Sequence, residues 1–230
     1  MPTETAQIHI LGSFDQALNV LRNNVLMMAS LTERNLARAF RGLFERNSEL
    51  CNLVIADDEE VDTLEKQVDK DGIEVLMRFQ PVAGDLRSVI ATMKLSANLE
   101  RIADQATSIA RRARKLSQSA SLNEAHLLES MTVDVTAMLK DSLRAFTDGD
   151  LDLAMTIKPR DKQLDQVNSQ LDSQLTDSAQ KDPENIKSYL DLIFVARSIE
   201  RIGDHAVNIA EDAVYAKDSR DIRHSHKGGG

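Results

Sequence analysis

The segment Leu99-Glu100-Arg101-Ile102-Ala103-Asp104 reappears as Ile199-Glu200-Arg201-Ile202-Gly203-Asp204, an offset of 200 − 100 = 100 residues. The match extends upstream. Asp58, Asp62, Glu65 and Asp69 recur as Asp161, Asp165, Asn168 and Asp172, at an offset of 161 − 58 = 103. Pro81 and Pro183 mark one helix start in both copies. Self-similarity over this length means one supersecondary unit used twice, so whatever fold the first half adopts the second must adopt as well.

The periodicity of apolar residues makes that unit helical. With Gly 9, Pro 4, no Trp and 3% aromatic residues, the chain lacks the aromatic and β-branched runs and the frequent turns of a sheet protein. Helices are expected over about 15–47, 50–79, 85–116, 122–146, 151–179 and 183–217. The breaks fall at Gln80-Pro81-Val82-Ala83-Gly84-Asp85, at Ser117-Gln118-Ser119-Ala120-Ser121 and at Thr147-Asp148-Gly149-Asp150. Pro159 should bend the start of the fifth helix. Asp182 reads as the N-cap of the sixth, with Pro183 at its first position. The expected fold is all-α, six helices as two pseudo-symmetric three-helix bundles. Residues 1–118 and 119–218 are the repeats, and 219–230 form a mobile tail.

The formal charge of −9 argues against nucleic acid, which requires a basic footprint. The basic run Arg111-Arg112-Ala113-Arg114-Lys115 reads instead as compensation of the macrodipole at a helix end. The single cysteine, Cys51, suits a reducing compartment. No signal peptide is visible. The longest apolar stretch, Leu192 to Ala196, is far short of the ~20 residues that cross a bilayer. A cytoplasmic protein is expected, reaching a membrane only through partners.

Carboxylates are the distinctive chemistry. On the sixth helix Leu192, Ile199, Ile202, Ala206, Ile209 and Ala213 form an apolar seam, and Glu200, Asp204, Asn208 and Glu211 fall nearly opposite it. The third helix repeats this, with Leu95, Leu99, Ile102, Ala106, Ile109 and Ala113 as seam and Glu100 and Asp104 away from it. These pairs are therefore expected on the surface, not in a buried dyad. Asp58 and Asp62 flank the seam Val61, Leu64 and Val68, and Asp161 and Asp165 flank Leu164, Val167 and Leu171. If the second and third helices are neighbours, their acids line one groove, and the fifth and sixth helices form its twin.

A solvated acidic face is the ordinary account of one such pair. Like charges at i,i+4 cost a few tenths of a kcal/mol, however, and here they recur in both copies. Oxygen-rich clusters on rigid helices are what hard divalent cations require. The candidate metal ligands are Glu100, Asp104, Glu200, Asp204, Asp58, Asp62, Asp161, Asp165 and Glu211. Carboxylates alone favour Mg, Mn or Ca, and an imidazole would admit Fe or Zn. His205 is turned ~100° from Asp204, which makes it a weak ligand candidate. No Glu-x-x-His, phosphate loop, Cys-x-x-Cys or nucleophile elbow is present. Met27, Met28, Met77 and Met93 read as core filling. The expected protein is not an enzyme. The alternative to a metal site is a metal-free helical scaffold whose acidic faces meet basic partner surfaces.

Ala97-Asn98-Leu99-Glu100-Arg101-Ile102-Ala103-Asp104 and Ser198-Ile199-Glu200-Arg201-Ile202-Gly203-Asp204-His205-Ala206-Val207-Asn208-Ile209-Ala210-Glu211 closely resemble the twin signatures of the PhoU family. The likeness includes the Asp-x-x-x-Asp elements and the near-terminal Asp221-Ile222-Arg223-His224. The first copy departs at Ala103, Gln105 and Arg111, where the second has Gly203, His205 and Glu211. The resemblance implies a cytoplasmic, usually dimeric protein of two three-helix bundles that regulates phosphate uptake. It would act between the ATPase-driven phosphate ABC transporter and a membrane sensor histidine kinase, keeping the starvation response off when phosphate is plentiful. It also implies metal clusters held on the surface by the Glu/Asp-x-x-x-Asp motifs.

Overall fold

The computed structural model describes residues 4–219. The family-like ending Asp221–His224, and the tail beyond Ser219, lie outside the described residues. The elements are α1 (Glu4–Phe44), α2 (Ser48–Phe79), α3 (Ala83–Leu116), a 3-10 turn (Asn123–Leu128), α4 (Glu129–Asp148), α5 (Leu151–Lys181), a 3-10 turn (Pro183–Asn185) and α6 (Ile186–Asp218). There is no strand among the described residues.

Local chemistry sets the helix ends. The Asn47 side chain accepts from the backbone N–H groups of Glu49 and Leu50 at 3.0 and 3.2 Å and starts α2. Asp150 does the same for α5 through Leu153 N–H at 3.0 Å. Gly149, at φ 66°, closes α4 in the left-handed conformation that glycine adopts without strain. Asn47→Ala is expected to cost about 1 kcal/mol of stability, read from the urea midpoint at unchanged m-value.

Three expectations are corrected. Helix α1 starts eleven residues earlier than Asp15 (15 − 4 = 11), because only Gly12 interrupts its run of formers, at a cost of ~1 kcal/mol. The fourth helix is preceded by a 3-10 turn rather than starting at Leu122. Asp182 does not cap backbone: its carboxylate accepts from the Asn185 side-chain amide at 2.8 Å, and α6 proper begins at Ile186. Pro159 lies inside α5, which continues through it.

Helices α1, α2 and α3 pack together, as do α4, α5 and α6, and α3 packs lengthwise on α6. Pairing of Lys94 with Asp212 and of Arg112 with Phe194 makes α3 and α6 antiparallel about a pseudo-two-fold. All seam residues of α3 and α6 are buried. The two bundles thus share one continuous core rather than closing separately. Both central helices carry buried small residues, Ser96 and Ala110 on α3 and Ala206 and Ala210 on α6, that leave room for close neighbours. Met28 fills the core and Met93 lies over Gly72, but Met27 and Met77 are exposed, contrary to their expected core role. No helix among the described residues is long and apolar enough to cross a membrane.

Candidate functional site

Each bundle brings its two acidic stripes together where the last helix lies against the one before it. In the first groove Asp58, Asp62 and Glu65 of α2 face Glu100 and Asp104 of α3. The charges are close enough to perturb one another: Asp104 and Asp62 act on Asp58, and Asp104, Glu65 and Asp62 act on Glu100. In the second groove Asp161 and Asp165 of α5 face Glu200 and Asp204 of α6 in the same way.

The consequence is a set of carboxyls that resist ionisation. Burial, then the like charge of Asp104, pushes Glu100 up to about 7. Burial, then Asp165, Asp204 and Glu200, pushes Asp161 up to about 7. Asp58, Glu65, Glu200 and Asp204 are also raised, burial leading in each case. Desolvation and like charge both disfavour the anion, so the signs agree.

The outward placement expected for these pairs holds for Asp104 and Asp204, which are exposed. Glu100 and Glu200 are only partly exposed, because the neighbouring helix closes over them. Glu211 is misplaced by the helical-wheel argument. It is buried, 8% exposed, and accepts from Lys158 Nζ of α5 at 2.9 Å. The reason is that α6 is central: α3 and α5 both cover it, which leaves no wide polar side at its C-terminal half.

The grooves carry their own cations with opposite polarity. In the first, Arg111 of α3 approaches Asp58 of α2 at 3.8 Å. In the second, the position 211 − 111 = 100 residues later is Glu211 of α6, and its partner Lys158 is on α5. The flanking clasps invert too. Arg34 and Arg38 of α1 bind Asp57 of α2 at 3.0 and 2.9 Å, whereas Asp141 of α4 binds Arg160 of α5 at 2.6 Å.

Residues that periodicity alone did not single out complete the site. Thr107 donates to Asp58 Oδ1 at 2.9 Å. Arg101 lies 3.3 Å from Glu100 and 3.8 Å from Asp104. Asp161 Oδ1, Asn168 Oδ1 and Asp172 Oδ1 are buried and have no hydrogen-bond donor. A Cβ at Gly203 would stand 2.8 Å from Asp161 Oδ1 and 2.7 Å from Leu164 Cδ2. The repeat alignment carried a signal for Asn168 and Asp172, and the Ala103/Gly203 difference one for the cradle. Thr107 had none.

His205 belongs to the α3–α6 contact. Its Nδ1–H donates to Asn98 Oδ1 at 3.0 Å, the oxygen that also takes Asn208 Nδ2 at 3.4 Å. Burial, with Arg101 and Arg201 adding to it, holds its pKa below the ordinary value.

The donor set is all oxygen, dense in charge, and includes an orphaned carboxylate oxygen at Asp161, which suits a hard cation. Among the described residues, however, no three His, Cys, Asp or Glu side chains close around one point as an ion's ligands would.

Comparison with known proteins agrees with the internal duplication. The family model described as the PhoU domain matches twice, at residues 25–113 and 128–213. A Pseudomonas putida protein named phosphate-specific transport system accessory protein PhoU homolog is 35% identical over 222 residues, covering 96% of this chain and 87% of its own length. The crystal structure of PhoU from Pseudomonas aeruginosa superposes with a TM-score of 0.87 at 33% identity, covering 90% of this chain and 100% of that one. The phosphate transport system regulatory protein PhoU from Streptococcus pneumoniae gives 0.82 at 26% identity, over 91% of this chain and 99% of that one.

Proposed function

The chain belongs to the PhoU family, and on that footing we propose that it is a non-catalytic cytoplasmic regulator of phosphate uptake that works as a metal-binding adaptor. Its partners are the ATPase subunit of a phosphate ABC transporter and a membrane sensor histidine kinase, and it holds the phosphate-starvation response off when phosphate is plentiful. It works as a homodimer and reaches the membrane only through those partners. The names of its relatives, an accessory protein and a regulatory protein of phosphate transport, support this role.

The metal part rests on one observation. Two homologous grooves each hold a carboxyl pushed up to about 7 by burial and by its acidic neighbours. Raised carboxyls are anions short of a countercharge. In the second groove Asp161, Asp165, Glu200 and Asp204 would hold a divalent ion, with Mg, Mn, Fe or Zn the candidates. In the first, Asp58, Asp62, Glu100 and Asp104 would do so. A bound cation supplies positive charge that lowers those pKa values and turns an acidic surface into one that accepts an anionic group.

The test is elemental analysis of protein purified without chelator. Wild type is expected to retain metal, Asp204→Asn to lose the second groove's share and Asp104→Asn the first's. Unchanged metal content in both variants would remove these sites. A deletion strain that still silences its starvation genes in high phosphate would remove the regulatory role.

A second reading has its own support, since no three described acids close on a point and Arg101 and Arg111 already offset part of the first groove's charge. In it the grooves dock basic partner surfaces directly. Metal-free wild type with intact partner binding would favour it.

A further inference from the structure

Helix α6 exposes a stripe that its own fold does not use. Ile186 and Leu190 are each 47% exposed and Phe194 42%. At ~100° per residue Ile186, Arg197, Leu190, Arg201 and Phe194 fall, in that order, within an arc of about 80°. They run for about 22 Å along the helix. Single exposed apolar residues are ordinary, but a continuous row spaced by fours is a contact surface.

Cations border the row in a chain whose net charge is −9. The Arg112 guanidinium of α3 lies 4.1 Å from the Phe194 ring centre and that of Arg197 6.0 Å from it. Asp191 fixes Arg112 at 2.8 Å and Asp172 fixes Arg197 at 3.3 Å. A guanidinium has five N–H donors, so one carboxylate each does not exhaust them. Lys187 and Arg201 are exposed beside the row.

The duplication shows that the fold does not demand the aromatic end of this row. At an offset of 100, Phe194 and Arg197 correspond to Lys94 and Ala97. Lys94 is spent on Asp212, at 3.0 Å. Ile186 and Leu190 have apolar counterparts in Leu86, 36% exposed, and in Ile90, so the row recurs in part, and only its Phe194–Arg197 end is confined to the second repeat.

We propose that the N-terminal half of α6 docks an amphipathic helix of another protein, one with apolar anchors along one face and carboxylates on its flanks. A helix lying along this face would present its anchors at the spacing of the row. The bordering arginines select acidic flanks over basic ones. The proposal draws on the adaptor role only in needing a protein partner, and metal has no part in it.

The probe is a fluorescein-labelled synthetic helix of about five turns, leucine on one face and glutamate elsewhere. Its anisotropy is followed with the full chain in EDTA, so that a failure of the metal sites does not enter. The peptide is expected to bind, about tenfold more weakly to Phe194→Ser and to Leu190→Ser. It is also expected to bind more weakly to Arg197→Gln, and a glutamine-for-glutamate peptide more weakly to wild type. Circular dichroism should show all variants folded, since each altered side chain is exposed. No binding, or binding indifferent to Phe194→Ser, overturns the proposal. So does loss of self-association in Phe194→Ser on sedimentation, because the row would then be covered by a second copy.

Discussion

Gly203→Val is expected to destabilise the protein by about 2–3 kcal/mol and to spread the second groove. The Cβ alone would stand 2.7 Å from Leu164 Cδ2 and 2.8 Å from Asp161 Oδ1. A single methyl could be absorbed by turning those two side-chain ends. Replacing a mid-helix glycine also returns ~1 kcal/mol of backbone propensity, which makes Gly203→Ala a near-balance. Valine adds two more carbons and a fixed χ1, so it cannot avoid both neighbours. Helix α5 must then move off α6, carrying Asp161 away from Glu200 and Asp204. Urea unfolding reads the first effect. The second appears as a fall of the Asp161 pKa toward its ordinary value, followed by carboxyl NMR. A variant as stable as wild type, with that pKa unmoved, would mean that α5 does not rest on Gly203.

The next largest effect is on pH dependence. Asp161 is pushed from an ordinary 3.8 up to about 7, first by burial and then by Asp165, Asp204 and Glu200. The folded protein therefore holds a proton that the unfolded chain releases near pH 4. That contribution to stability is complete below the unfolded value and is lost as pH rises through about 7. Taken at face value the rise corresponds to ~4 kcal/mol. Asp161 is only half shielded from water, which reduces the expected loss to about 1–2 kcal/mol. Asp161→Asn keeps the shape and removes the titration. Without metal the variant should be more stable than wild type at pH 8 by about that amount, and nearly equal to it at pH 4. The measurement is the difference in urea midpoint between the two proteins at each pH. A difference independent of pH would show that Asp161 ionises as a free carboxylate. Glu100, also near 7, should behave alike through Glu100→Gln.

Much of this was legible in residue order alone. Six helices and the buried seams follow from one periodicity read twice, whereas the pairing of α2 with α3 and of α5 with α6 entered only as a condition, which the helix packing meets. The acids of both grooves fall on the flanks that the seams leave. Glu211 was not legible, because a helical wheel assumes one packed side. Helix α6 is packed by α3 as well as by α4 and α5, so its polar arc closes toward the C-terminus. The exposure of Met27 and Met77 was hidden for a related reason: a flexible apolar side chain has no signature separating core from surface. The orphaned oxygen of Asp161 depends on how deeply α5 sits over Gly203, which is a distance between helices and not a pattern along one.

The inverted clasps bear on how such a chain assembles. Two halves of the same fold on one polypeptide invite exchange, with α5 settling against α3 in place of α2, within one molecule or between two. In the reciprocal pairing, α2 against α6, Asp58 would meet Glu211 where it now meets Arg111. Likewise Arg160 would meet Arg34 and Arg38 if α5 took the place of α2 against α1, while Asp57 faced Asp141. Like charges would thus oppose one another in each swapped bundle. Divergence of the duplicate has therefore given each half a polarity by which its own helices recognise one another, so that a gene doubled end to end yields one arrangement instead of several.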